Sequence, residues 1–150
     1  MPVTFHNEIE IARPVDEVFE FLCDFRNMPK WNYYIIMVEK MTTGPIQIGT
    51  EFHQTRKIDS QKYKITKLIK PSLVAMQTLP PERQLEVKFE LKVVNGRTLV
   101  KDTWTAKIPS FIGWFGKKRV QHAVMENLLK LKTLLETGSV ELQDGRRIDL

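Results

Sequence analysis

The chain of 150 residues is poor in the residues that build most recognisable catalytic and metal sites. Cys23 is its single cysteine, which excludes a disulfide scaffold and any cysteine-rich zinc site. The three histidines, His6, His53 and His122, show no His-Glu-x-x-His or comparable spacing, so neither a metal nor another cofactor is expected. No Gly-x-Ser-x-Gly elbow is present to carry a serine nucleophile. No apolar run approaches the roughly 20 residues of a membrane span. Met1–Glu8 has neither the basic start nor the apolar stretch of a secretory leader, and a soluble cytoplasmic protein is expected. Charge of neither sign dominates: 23 Lys and Arg against 18 Asp and Glu give +5. With no arginine-rich run or nucleic-acid motif, that excess reads as a solvated surface, and no nucleic-acid partner is expected.

What remains is an ordinary globular composition, 42% hydrophobic and 27% charged, on a chain long enough for one domain with a full core. Val3, Phe5, Asn7, Ile9 and Ile11 alternate with polar residues, which predicts a half-buried strand. Pro14 suits a first helical turn, Asp16 and Glu17 suit its positive end, and Val15, Val18, Phe19 and Leu22 follow at helical spacing over 14–24. A second, irregular short helix is expected near 26–31. Strand patterns then recur at 35–40, 50–58, 62–69, 73–79 and 85–93, separated by turn signals such as Gly44-Pro45 and Asp59-Ser60. Asn95-Gly96 predicts a two-residue hairpin into a last strand, on which Thr98, Val100, Asp102, Trp104, Ala106 and Ile108 share a face. Pro109 to Gly116 breaks the pattern. A long helix follows, with Val120, Leu128, Leu131 and Leu135 within about 40° of Val124, until Gly138 stops it. The polar residues 139–150 read as a tail or a short hairpin. The order β, α, α, about six or seven antiparallel strands and one long helix is an α+β fold in which the sheet wraps the helix.

The run Ile9-Glu10-Ile11-Ala12-Arg13-Pro14-Val15-Asp16-Glu17-Val18-Phe19-Glu20-Phe21-Leu22-Cys23-Asp24 resembles the opening of the START-like, or Bet v 1-like, superfamily. Pro29-Lys30-Trp31 and Ile48-Gly49-Thr50-Glu51-Phe52 are similar to later motifs of its polyketide cyclase/dehydrase and lipid-transport group, and the likeness covers about residues 3–137. The resemblance implies a helix-grip fold, a curved antiparallel sheet around a C-terminal helix with an apolar cavity. It implies a ligand-binding domain over 1–138, with 139–150 as a polar C-terminal tail. The superfamily spans lipid carriers, receptors, cyclases, quinone-binding proteins and chaperone cofactors, so the residues inside the cavity must decide the function.

Asp102 is the notable one, a carboxylate on an apolar face, where it is either paired, for example with Arg56, or raised in pKa. Asp102 and Arg56 are accordingly the only catalytic candidates. Asn7 raises the same question. Tyr33, Phe52, Gln54, Tyr63, Gln77, Phe89, Asp102, Trp104, Gln121, Val124 and Leu128 are the candidate ligand-binding residues, a few polar groups among apolar ones. The aromatics Trp31, Tyr33 and Tyr34, and again Phe111, Trp114 and Phe115, either cap the core or gate the cavity. Trp114 and Phe115 beside Lys117-Lys118-Arg119 also suit a membrane surface. The first expectation is a binding protein for a small apolar or aromatic molecule (lipid, polyketide, isoprenoid or quinone). A cyclase or dehydrase ranks second, because no convincing acid/base pair is visible. A membrane or protein recruitment module ranks third. A monomer and a homodimer both fit the sequence.

Overall fold

The computed structural model of the chain describes residues 2–107 and 113–150, without the side chains of 113–115. Its elements are β1 (Pro2–Ile11), α1 (Val15–Cys23), a 3-10 helix (Phe25–Lys30), β2 (Ile35–Lys40), β3 (Glu51–Arg56), β4 (Ser60–Ile69), β5 (Leu73–Thr78), β6 (Leu85–Val94), β7 (Arg97–Lys107), α2 (Gly113–Thr137), β8 (Ser139–Glu141) and β9 (Arg147–Asp149). The expected Ile108 end of β7, the Pro109 break and Phe111 lie outside the described residues.

Local chemistry sets the boundaries. Pro14 precedes α1, Asp16 and Glu17 occupy its first turn, and Arg13 bridges to Glu17 at 2.8 Å. α1 buries Val18, Phe19, Leu22 and Cys23 on one side. Asp24 ends it and starts the 3-10 helix, its carboxylate accepting the Arg26 backbone N–H at 3.1 Å. Asn95 and Gly96 take φ values of 52° and 75°, the left-handed pair that a tight hairpin needs. β6 and β7 therefore run in unbroken register from Leu85 opposite Ala106 to Val94 opposite Arg97.

The seven long strands form one antiparallel sheet in the order β1-β7-β6-β5-β4-β3-β2, with β1 and β2 at its edges. Bulges between Ile35 and Met37 and between Ile65 and Lys67 shift the register, the device that bends a sheet. α2 packs on the inner face beside β1. It is pinned at two places. Gln121 donates to the His6 carbonyl at 3.0 Å while Asn7 donates to the Gln121 carbonyl at 3.1 Å. Further along, Lys132 donates to the Glu10 carbonyl at 2.6 Å, and Glu136 accepts the Ala12 N–H at 2.7 Å.

Cross-strand register divides the inner face into rungs. The first is Val3–Ala106–Leu85, the second Phe5–Trp104–Val87, the third Asn7–Asp102–Phe89 and the fourth Ile9–Val100–Leu91. The fourth belongs to a continuous core with Leu128, Leu131 and Leu134 of α2, all three fully buried. Phe25, Phe52 and Tyr63 join the same core as a cluster of rings 5.3–5.8 Å apart.

Of the two forms open to residues 139–150, the chain takes the hairpin. Gly138, at φ 85°, sends its N–H to Leu134 at 2.8 Å and turns the chain out of α2. β8 and β9 then pair, and Val140 and Leu142 sink into the main core, so this segment packs as part of the domain rather than as a polar tail. Among the described residues, no helix is long and apolar enough to cross a membrane.

Candidate functional site

The apolar stripe of α2 is covered from Val124 onward and uncovered at Val120, which is 42% exposed. The reason is a pocket of about 250 Å³ between the first turns of α2 and the first two rungs of the sheet. Val3, Phe5, Leu85, Trp104 and Ala106 form its apolar wall, and Gly116, Lys117 and Val120 form the helix side. Arg56, Gln61, Arg83, Gln84 and Lys107 complete the rim. Phe5 and Trp104 stack at 5.8 Å with their planes 19° apart, closing the inward end. The volume sits just below the usual range for small-molecule sites, with the expected apolar lining and few polar groups. A second depression of about 500 Å³ lies on the sheet's outer face among Glu8, Glu90, Lys92 and Lys101, where charges of both signs meet.

Behind Trp104 lies the third rung. Asp102 is 2% exposed and its Oδ1 has no hydrogen-bond partner among the described residues. Burial pushes its carboxyl up to about 7. The Trp104 indole acts weakly against that rise, yet its N–H makes no hydrogen bond of good geometry. The expected Arg56 partner is elsewhere: Arg56 holds Asp59 through two bonds of 2.6 and 2.7 Å. The two catalytic candidates are therefore not a pair. Gln54, 3% exposed, likewise buries Oε1 without a partner, opposite the pocket-lining Gln61.

The other candidates divide sharply. Trp104 lines the pocket. Phe52, Tyr63, Phe89, Val124 and Leu128 are buried, filling the centre of the grip with their own side chains. Tyr63 donates its hydroxyl to the Met28 sulfur at 3.8 Å, and burial pushes that phenol well above its ordinary pKa. Gln121 is an anchor of α2 rather than part of the pocket wall. Gln77 is a correction: it pairs opposite Lys64 and Glu86 on the outer face, because the inner face of β5 belongs to Val74 and Met76. Tyr33 is half-buried against Tyr34, 4.1 Å between rings, with the Lys57 ammonium 5.0 Å from its ring centre. Trp31 lies in the core against Phe89. The side chains of Trp114 and Phe115 lie outside the described residues. Cys23 is buried, its thiol pushed up to about 11, chiefly by desolvation.

Val3, Leu85 and Ala106 were legible as inward strand positions but not as pocket walls, since only the placement of α2 leaves them uncovered. Arg83 and Lys107 carried no periodic signal at all.

A curved antiparallel sheet gripping a C-terminal helix, with an apolar pocket under the helix's first turns, defines a helix-grip domain. The family model for polyketide cyclase/dehydrase and lipid transport matches residues 2–136, and the chain belongs to that family. Among solved structures it is similar to the solution structure of the Aha1 dimer from Colwellia psychrerythraea. There the identity is 20%, the TM-score 0.70, and 91% of this chain and 98% of that one are covered. It is also similar to the crystal structure of DR_A0006 from Deinococcus radiodurans, at 15% identity, TM-score 0.67, and 91% and 98% coverage. At these identities the likeness shows the fold alone. A search of curated proteins gives no match.

Proposed function

We propose that this protein binds a small hydrophobic or aromatic molecule in the pocket between the sheet and the start of α2. The observation that carries the reading is the pocket of about 250 Å³ and its apolar lining of Phe5, Leu85, Trp104 and Val120. An apolar pocket lining left to water is costly unless something occupies it. Outside the pocket lining, Gln54 and Asp102 bury acceptor atoms without partners among the described residues, of the kind that an ordered water satisfies. The cyclase/dehydrase reading stands second and rests on Asp102 alone, a carboxyl poised near neutrality but lacking an acid/base partner. Recruitment to a membrane through Lys117–Arg119 with Trp114 and Phe115 stands third. A homodimer is favoured by Tyr34, Ile36 and Met37, exposed at the edge strand β2 or just before it. The single, reduced and buried Cys23 suits a cytoplasmic protein.

The test is titration with the neutral probe N-phenyl-1-naphthylamine, whose fluorescence rises in apolar sites. The expected result is saturable one-to-one binding, lost in Val120→Trp, which fills the pocket mouth, with an unchanged unfolding midpoint. Probe binding that Val120→Trp leaves intact would overturn the pocket as the site. Solvent extraction and mass spectrometry of the purified protein would then name any natural occupant.

A further inference from the structure

We propose that the pocket's ligand is an amphipathic organic anion, its acidic head group held by Arg83, Lys107 and Lys117 and its apolar body lying on Phe5, Leu85 and Trp104. This rests on the pocket being the binding site.

The pocket lining carries four cationic side chains, Arg56, Arg83, Lys107 and Lys117, and no carboxylate. Arg56 is already neutralised by Asp59. The other three make no ion pair or side-chain hydrogen bond among the described residues. They come from separate parts of the chain. Arg83 lies in the loop before β6, Lys107 ends β7, and Lys117 is in the second turn of α2. Three unrelated elements thus deliver positive charge, unpaired among the described residues, to the rim of one apolar space. The beginning of α2 adds to it: the N-terminal end of this 25-residue helix carries partial positive charge, and its first turn holds no acidic residue.

The interior has the opposite character. Immediately behind the Phe5–Trp104 stack sits Asp102, with an unpartnered oxygen and no ion pair among the described residues. An acidic head group pointing inward would be desolvated beside a carboxylate. The polarity therefore orients the ligand, with the tail against the rings and the head outward among the cations, where water still reaches it. Carboxylate and phosphate heads share this chemistry.

The experiment is isothermal titration calorimetry of the full chain at pH 8 and low ionic strength, with decanoate, decyl phosphate, decanol and decyltrimethylammonium. The anions are expected to bind at least about tenfold tighter than decanol, and the cation weakest. The tighter of the two anions assigns the head group. In the Arg83→Gln/Lys107→Gln/Lys117→Gln variant the preference should shrink to within about twofold while decanol affinity is unchanged, and added salt should shrink it in the wild type. Retention of decanol binding shows that the variant is folded. Decanol binding as tightly as decanoate, or a preference that survives the triple substitution, overturns the charge assignment and leaves the pocket reading standing. No binding of any of the four overturns both.

Discussion

The two ends of the grip are built from the same residue types and behave differently. At one end, the Ile9–Val100–Leu91 rung lies in a core closed by Leu128, Leu131 and Leu134, and rings from three elements fill the rest. At the other, Phe5, Trp104 and Leu85 face the first turns of α2, where Val120 is nearly half exposed. Between them stands the Asn7–Asp102–Phe89 rung, one polar pair separating the dry region from the open one. The difference teaches that stability and binding occupy different lengths of one continuous face. Burial of about 25 cal/mol per Å² accrues where α2 covers the sheet, and an affinity for apolar ligands is left where it does not.

The sharpest way to break this comparison is to truncate one side chain at each end. Phe52→Ala, in the filled region, is expected to cost about 3–5 kcal/mol in urea unfolding. Val120→Ala, in the open region, should cost less than about 1 kcal/mol because its side chain is already half in water. Equal losses would mean that the pocket is closed in solution.

The dividing rung offers the next test. Asp102 titrates near 7 in the folded protein against an ordinary 3.8. Between those values the folded state holds a proton that the unfolded state has released. Stability therefore falls as pH rises from about 4 to about 7 and is level above that, by roughly 4 kcal/mol in all from this group. Asp102→Asn should remove that slope and leave the protein more stable than wild type at pH 8. Urea midpoints of both proteins at pH 5, 6, 7 and 8 check it, and parallel profiles would show that the carboxyl is solvated.

The smallest effect concerns the anchor beside that rung. Gln121→Ala removes the bond to the His6 carbonyl and is expected to cost about 1 kcal/mol. If α2 loosens over the pocket, it should also speed probe release measured by stopped flow.

Much of the architecture was legible because its signals are local. Strand alternation in β1 and β6, the Asn95-Gly96 turn and the Pro14 helix start each depend on a few adjacent residues. Inward residues followed from the same alternation, which is how Asp102 and Trp104 were found. The centre of the sheet looks like cavity wall in the sequence, because alternation cannot tell a residue that lines a space from one that fills it. Phe52, Tyr63 and Phe89 fill it. The side of Gln77 is not legible in the sequence, because β5 buries Val74, Ala75 and Met76 in succession and no period of two survives there. The basic rim was invisible because Arg83, Lys107 and Lys117 meet only when the loop before β6, the end of β7 and the start of α2 converge.

The sheet order carries a consequence for how the chain reaches its folded state. β1 pairs along its whole length with β7, and Thr4 and Thr105, bonded at 3.3 Å, are 101 residues apart. During synthesis, at about 5–20 residues per second, the first strand therefore waits on the order of 5–20 s for its neighbour to be made. The pocket's Val3 and Phe5 belong to that waiting strand, and their partners Ala106 and Trp104 to the late one. The binding site is thus assembled by the strand pairing of greatest sequence separation among the described residues, and a slow, high-contact-order step should separate collapse of the β2–β6 meander from competence to bind.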